Sequence, residues 1–341
     1  TIDMNQNIHI IVSTSGDTGS AVADAFKNYK NVFVHILYPK NLISDIQKLQ
    51  MTTYGDNITA YEVDGNFDDC QKLVKKALTD KDLLRTLTFF PANSINPIRL
   101  IPQTFYYFWA YAQLKKQYGI DKNIVISVPS GNLGNLSAGL IAHQMGLPIS
   151  NFIGATNFND TFTKYIKNGK YYEKPMIPTI SNAMDVSIPN NLQRINSLYN
   201  NNIKDIQEHI KSYSVSDVET EKTMISTYKK YDYVIDPHTA VGLNAFQKYS
   251  YEYKNDSTGI VMSTAHCSKF PNIMNKLLIP YKNPDSLDDL YKKQQTIVNI
   301  PNNYDIWKKM LIRSTNKKNI TFIGMPGAGK SYIGHKLSEK I

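Results

Sequence analysis

Cysteine is almost missing from this 341-residue chain: only Cys70 and Cys267 occur, far apart and with no C-x-x-C spacing. That scarcity argues against a disulfide framework and a cysteine zinc site, and it suits a reducing compartment. Long apolar runs are missing too. The richest one, Phe105-Tyr106-Tyr107-Phe108-Trp109, falls short of the roughly 18 residues a membrane helix needs and is followed by Lys115 and Lys116. No membrane span is therefore expected. Long blocks of like charge are absent although the net charge is +9. The lysines come in pairs (Lys75-Lys76, Lys229-Lys230, Lys308-Lys309, Lys317-Lys318), the pattern of a solvated surface rather than of a nucleic-acid face. The mild positive field still favours small anionic ligands. Internal repeats are absent, and the one low-complexity tract is Asn200-Asn201-Asn202. What is present, 42% hydrophobic and 20% charged residues, excludes wholesale disorder and suits a buried core. The length suggests about two domains.

Residue 1 is Thr rather than Met, an apolar strand begins within the first dozen residues, and Ile341 falls inside a helical pattern. The expectation is a piece of a longer protein, cytoplasmic, with any N-terminal targeting segment lying outside this sequence.

Continuous apolar strands alternate with helical stretches. Strands are expected at Ile8–Val12, Val32–Leu37, Ile58–Val63, Ile124–Val128, Asn151–Ala155 and Gly259–Met262. Helices are expected around 19–28, 43–53, 68–78 and 238–249, and the pattern from Asn190 to Tyr231 is mostly helical. Such alternation predicts βαβ units and an α/β fold with parallel sheets. Asn96-Pro97 is a helix start. That helix should run to about Tyr118, kinked at Pro102 and buried, because it is apolar nearly all round. The polar stretch 314–319 separates the main domain, 1–313, from a new strand at Ile320–Ile323.

Two Gly-rich loops each follow a strand and precede a helix: Ser13-Thr14-Ser15-Gly16-Asp17-Thr18-Gly19 and Ser130-Gly131-Asn132-Leu133-Gly134-Asn135. Free N–H groups at such helix starts form sites for phosphate or carboxylate. Glycine lets the anion approach without a Cβ in the way. Neither loop fits G-x-G-x-x-G, so no dinucleotide fingerprint is present. Taken alone, either loop reads more readily as a tight strand-to-helix turn.

Together, in this order, the loops resemble those of the fold type II pyridoxal-phosphate (PLP) enzymes, and more narrowly of threonine synthases. The words that carry the resemblance are Thr14–Gly19, Asn93-Ser94-Ile95-Asn96-Pro97-Ile98-Arg99, Val128–Gly134, Ala155-Thr156-Asn157, Asn182–Val186, Asp236-Pro237-His238-Thr239-Ala240 and Thr264-Ala265-His266. They run in family order from residue 8 to about 313.

The resemblance implies a three-layer sandwich of the tryptophan synthase β type. It also implies a carbon–oxygen lyase acting on phosphates, converting O-phospho-L-homoserine and water to L-threonine and phosphate with pyridoxal 5'-phosphate. Gly131, Asn132, Leu133, Gly134 and Asn135 would hold the cofactor phosphate through backbone amides. Asp17 would lie against its 3-hydroxyl, and Thr264 would offer a hydroxyl to its pyridine nitrogen. Ser15, Gly16 and Thr18 would grip the substrate carboxylate. Asn93, Ser94 and Arg99 would take the substrate phosphate, where a guanidinium fork is well suited. The structural alternatives are a helix cap with a surface arginine and an ordinary strand-end threonine. His238 and His266 are expected to be structural. The expected partner is a small molecule, with no nucleic acid and with a monomer or homodimer left open. Two alternatives remain: a serine/threonine dehydratase, which has no substrate phosphate to hold, and a non-catalytic ligand-binding relative.

The family's Schiff-base lysine lies in a Phe-Lys-Asp word upstream of the Ser-Gly-Asp-Thr-Gly loop. Phe26-Lys27-Asn28 lies downstream, and Lys27 is expected to be a solvated helix-end lysine. No catalytic lysine is thus expected in this piece, which should be inactive alone. Finally, Gly324-Met325-Pro326-Gly327-Ala328-Gly329-Lys330-Ser331 fits the P-loop pattern after a strand. It resembles the start of a shikimate kinase over residues 320–341. Gly324, Gly327, Gly329 and Lys330 would take the phosphates of ATP and Ser331 would take Mg²⁺, provided the rest of a kinase domain follows.

Overall fold

Continuous apolar runs become buried parallel strands, and the capped amphipathic stretches between them become the helices that cover them. The computed structural model describes residues 7–92, 96–254 and 256–315. The order is β1 (Ile8–Ser13), α1 (Asp17–Phe26), β2 (Val32–Pro39), α2 (Asp45–Thr52), β3 (Ile58–Asp64), α3 (Phe67–Ala77), α4 (Lys81–Thr86), β4 (Thr88–Pro91), α5 (Leu100–Tyr118), β5 (Ile124–Pro129), α6 (Gly134–Gln144), β6 (Asn151–Thr156) and α7 (Thr161–Asn168). There follow α8 (Leu192–Leu198), α9 (Ile203–His209), β7 (Ile210–Ser214), α10 (Asp217–Tyr231), α11 (Pro237–Tyr253), β8 (Thr258–Val261), α12 (Pro271–Lys276), α13 (Asp285–Asp288), β9 (Ile297–Pro301) and α14 (Tyr304–Thr315).

The strands form two all-parallel sheets, ordered β4-β1-β2-β3-β9 and β7-β6-β5-β8. In the first, the chain winds outward from β1 through β2 and β3, then returns to add β4 on the other side of β1. The second repeats this around β5, with β6 and β7 on one side and β8 on the other. β1 and β5 are therefore topological switch points, and open α/β sheets bind ligands at the carboxyl ends of such strands. Both Gly-rich loops leave from those ends.

Each sheet has its own core. Ile10, Val12, Val34, Ile36 and Met51 pack around the first; Ile126, Val128, Leu136, Leu140 and Phe152 pack around the second. One polar pair sits inside the first sheet. His9 Nδ1 lies 3.0 Å from His35 Nε2, and His9 stacks on Phe33 at 5.2 Å between centroids. Burial pushes the pKa of His9 down to about 4 and that of His35 down to about 3. Both rings are thus neutral, and one donates its proton to the other.

Several expectations need correction. The helix after Asn96 is not kinked at Pro102. A 3₁₀ turn, Pro97–Arg99, comes first and α5 begins at Leu100. Pro102 therefore falls in the first turn, where its missing N–H costs nothing. Nor is α5 buried all round. Leu100, Thr104 and Tyr107 are buried, but Ile101, Phe105 and Trp109 are 57%, 65% and 67% exposed. An all-round apolar composition cannot say which face packs; the face bearing Tyr106 and Tyr107 does so, onto α6. The stretch 190–231 is interrupted by β7, and β4 and β9 are short strands that periodicity did not distinguish from loop. Lys27 behaves as expected, ion-paired to Asp24 at 2.6 Å and lying over the Tyr54 ring.

The chain divides into two compact units, Thr1–Asn303 and Tyr304–Ile341. In the second unit α14 carries an edge-on Tyr304–Trp307 contact. The P-loop residues Gly324, Gly327, Gly329, Lys330 and Ser331 lie outside the described residues, as does the linker from 316 onward. Among the described residues, no helix is long and apolar enough to cross a membrane, and no His/Cys/Asp/Glu group is arranged to hold a metal.

Candidate active site

The loops from β1 and β5 meet at one cavity of about 230 Å³, lined by Asp17, Thr18, Arg99, Gln103, residues 129–135, Ala183, Met184, His238 and Thr264. Asp17, Gly131, Asn132, Leu133, Gly134, Asn135, Thr264, Thr18 and Arg99 are thus brought together. Ser15 lies next door, in a smaller cavity that shares Asp17, Thr18 and Asn132. Gly16 is buried behind the loop. Asn93 and Ser94 lie outside the described residues.

The second loop ends in an unusual helix start. Leu133, the residue before α6, has φ +60°, rare for a bulky side chain, and no side chain caps the first turn. The α6 amides are left for a ligand. Gly131 is required by close approach, because a Cβ there would meet the Met184 Cα at 2.9 Å. The Asn135 side chain is already engaged, bonding to the Tyr106 and Tyr107 hydroxyls of α5. Its backbone, rather than its amide group, is what remains for an anion.

In the first loop Thr14 Oγ1 accepts from the amides of Gly16 and Gly19 at 2.9 Å each. Gly16 has φ +140°, and a Cβ there would collide with the Gln47 side chain at 2.4 Å. Gln47 Nε2 donates to Asp17 Oδ1 at 3.1 Å, and Lys269 Nζ donates to the same oxygen at 2.7 Å. Burial works to raise the Asp17 carboxyl. The charge of Lys269, with the hydrogen bonds from Lys269 and Gln47, outweighs it and holds the pKa below the ordinary carboxylate range.

Sequence reasoning missed Lys269, Gln103 and the 183–184 backbone, and it set His238 aside as structural. His238 is on the cavity wall. Its Nδ1 lies 3.0 Å from Asp236 Oδ1, and its Nε2 accepts from the Ala183 amide at 3.2 Å. The ring therefore braces the loop that faces Gly131. That loop is also held by Asp185, which accepts from Asn157, Asn159 and Thr179. Burial pushes the pKa of Asp185 up to about 7 against those donors.

Arg99 is half-buried, and its recorded hydrogen bond is from Nη1 to the Ala92 carbonyl at 2.7 Å. Burial lowers its pKa, yet a guanidinium stays charged. No carboxylate pairs with it among the described residues. A desolvated cation on a cavity wall, opposite uncapped helix amides, suits an anionic ligand with more than one acceptor. Thr264 adds a neutral hydroxyl. This donor set fits PLP, a planar ring bearing a phosphate.

The comparisons agree on the class. The profile of the pyridoxal-phosphate dependent enzyme family matches residues 3–264. The chain belongs to that family. A second profile, that of the threonine synthase C-terminal region, matches residues 239–311. Threonine synthase of Buchnera aphidicola from Acyrthosiphon pisum is 44% identical over 274 residues, covering 80% of this chain and 62% of that protein. The crystal structure of threonine synthase from Escherichia coli superposes with a TM-score of 0.84 at 38% identity, over 91% of this chain and 71% of that one. The PLP-bound threonine synthase from Brucella melitensis gives 0.80 at 30% identity, over 91% and 71%. Within the class, the chain is a member of the threonine synthase family. It spans 62% of the length of the Buchnera relative, somewhat under two-thirds.

Proposed function

We propose that the cavity binds pyridoxal 5'-phosphate and serves the threonine synthase reaction, in which O-phospho-L-homoserine and water give L-threonine and phosphate. The observation that carries this is the convergence of the uncapped α6 start, the α1 loop, Arg99 and Thr264 on one cavity. When bound, the cofactor supplies an electron sink for charge that develops on the substrate carbons.

The chain's own residues bind and orient. Backbone amides of Gly131–Asn135 hold the cofactor phosphate. Ser15 and Thr18 hold the substrate carboxylate, while Gly16, expected to share that role, has its amide taken by Thr14 Oγ1 and shapes the turn instead. Arg99 with Gln103 takes the substrate phosphate. Asp17, kept ionised by Lys269, accepts from the cofactor's ring hydroxyl, and Thr264 meets the ring nitrogen without delivering a charge to it. Arg99 separates this reading from a dehydratase, whose substrate has no phosphate to neutralise. Among the described residues no lysine lines the cavity, so the contribution assigned to these residues is binding and orientation. The proposed setting is the cytoplasm, with small molecules as partners. The segment Gly324–Ser331 carries its own reading, an ATP and Mg²⁺ P-loop, on sequence alone.

The test compares pyridoxal 5'-phosphate with pyridoxal by equilibrium dialysis; phosphate release from O-phospho-L-homoserine should be absent from this piece alone. Strong preference for the phosphorylated cofactor is expected. Equal affinities for the two would show that the α6 loop holds no phosphate and would remove the assignment.

A further inference from the structure

Gln71 on α3 is 6% exposed and lines the small cavity, about 110 Å³, that opens beside the β1–α1 loop. A chain of hydrogen bonds fixes which end of its amide faces Asn190. Asn132 Oδ1 accepts from the Asn190 backbone amide at 3.2 Å, so the atom there is an oxygen. The Asn190 atom that faces the same oxygen at 3.3 Å is therefore nitrogen. That nitrogen also donates to Gln71 at 2.9 Å, so Gln71 presents Oε1 to Asn190. Its Nε2 is left over, buried and with no acceptor among the described residues.

A buried N–H₂ without a partner is costly and rare in a folded protein. Here the Gln71 side chain, with that donor at its buried end, lines a cavity together with Ser15, Asp17 and Thr18, at the start of α1, where the preceding residue has no capping side chain and Thr14 Oγ1 takes only the Gly19 amide of the first turn. Two independent features, an orphaned neutral donor and the positive end of a ten-residue helix, converge on one space. The nearby negative charge, Asp17, is already neutralised by Lys269 at 2.7 Å. What completes this cavity is an anionic oxygen.

We infer that Gln71 is a specificity-determining residue of the cleft, donating from Nε2 to the carboxylate of an amino-acid substrate seated at the α1 end. The inference rests on the function proposed above. A carboxylate and a phosphate share the needed chemistry. We assign the carboxylate because Arg99, the residue suited to the substrate phosphate, lines the neighbouring cavity and not this one.

The test uses the chain loaded with pyridoxal 5'-phosphate and three probes measured by calorimetry: O-phospho-L-homoserine, L-homoserine, which lacks the phosphate, and 3-aminopropyl phosphate, which lacks the carboxylate. Q71M removes the donor at similar length. Q71E keeps the oxygen that Asn190 needs and turns the donor into a charged acceptor, so it serves if Q71M folds poorly. Either change should weaken both carboxylate-bearing probes about ten- to a hundredfold, as expected for a hydrogen bond to a charged group. It should leave 3-aminopropyl phosphate and the cofactor unchanged. Loss of 3-aminopropyl phosphate with L-homoserine unaffected would reassign the oxygen to phosphate and overturn the inference. So would a uniform loss of cofactor affinity, which would mean that Gln71 only props Asn132 through Asn190. If the unmodified chain binds neither cofactor nor any probe, the proposed function fails and this inference falls with it. If it binds them and the variants match it, only the inference fails.

Discussion

Helices α2, α3 and α10 each begin with a reciprocal capping box, built from Ser44 and Gln47, Asn66 and Asp69, and Ser216 and Glu219. Helices α1 and α6, which begin at the cavity, have none. The first three are solved locally: a side chain three positions from its partner satisfies the orphan amides, and the helix start needs nothing else. At the cavity the chain forgoes that stabilisation. A glycine at φ +140° and a leucine at φ +60° shape the turns; Thr14 Oγ1 takes the Gly19 amide of α1, and the first amides of α6 are left for the ligand proposed above. Unfavourable backbone at a helix start is thus a marker of function here, in keeping with strain that collects at sites.

The sharpest way to break this comparison is through the cation that faces the uncapped donors. Arg99→Ala should raise the KM for O-phospho-L-homoserine, with a loss of about 2–5 kcal/mol in kcat/KM for a desolvated charge pair. Thermal stability should hardly change, since the recorded bond of Arg99 is to one carbonyl. Steady-state kinetics on the active protein decides. An unchanged kcat/KM would make Arg99 a surface residue and α6 an ordinary helix.

A second test concerns polar groups that the protein satisfies by itself. His9 and His35 bond to each other inside the first sheet, and burial lowers both pKa values in the folded state. The unfolded chain takes up protons near pH 6.5 that the folded chain refuses. Stability is therefore full above that pH and falls as pH drops toward 4. At pH 5 the loss should be about 2 kcal/mol per imidazole. Urea titrations at pH 7.5 and pH 5 measure it. His9→Phe, which keeps an aromatic ring beside Phe33, should remove about half of the acid sensitivity. An unaltered pH dependence would mean that the pair does not stay neutral when folded.

The same contrast explains what was legible in the sequence. The strand–glycine–helix units around Gly16 and Gly131 were readable because every part lies within a few residues, and the order of the family words then gave the two-sheet α/β fold. Arg99 and Thr264 were readable as words, and the structure puts both on the cavity wall. Lys269 was not readable: it meets Asp17 across 252 residues, and no spacing encodes that. Gln71 was hidden similarly, since its free donor is defined by Asn132 and Asn190. The exposed face of α5 was misjudged because apolar residues surround that helix, and only tertiary packing decides which ones are covered. β7, with the sequence Ile-Lys-Ser-Tyr-Ser, is short and half polar, so neighbouring helical periodicity outweighed it.

Lys269 allows a milder perturbation of the cavity side. Lys269→Met should let the Asp17 pKa climb, because the lysine's charge opposes the burial that raises it. Asp17 contributes stability above its unfolded pKa, and this is lost as pH falls through the depressed folded value. The variant should lose that contribution at higher pH than the parent. Chemical denaturation between about pH 3 and pH 6, the carboxylate range, would show the shift. Superimposable curves would mean that Gln47 alone holds the carboxylate.

The smallest expected effect tests the other half of the comparison. Ser216 Oγ accepts from the Glu219 amide at 3.3 Å, and Glu219 Oε2 returns to the Ser216 amide at 2.8 Å. Glu219 is also ion-paired to Lys248 at 2.9 Å. Burial alone would raise the Glu219 carboxyl, but the bonds from Lys248 and Ser216 bring its pKa down to about 2. Ser216→Ala removes one acceptor at the start of α10 and should cost about 1 kcal/mol of stability. It should leave affinity for pyridoxal 5'-phosphate where it was, because α10 starts outside the cavity lining. Reading both quantities on one sample makes the outcome decisive. A loss of cofactor affinity equal to the loss of stability would show that α10 and the cavity loops form one cooperative unit. The division between self-satisfied and ligand-satisfied helix starts would then describe geometry without describing energetics.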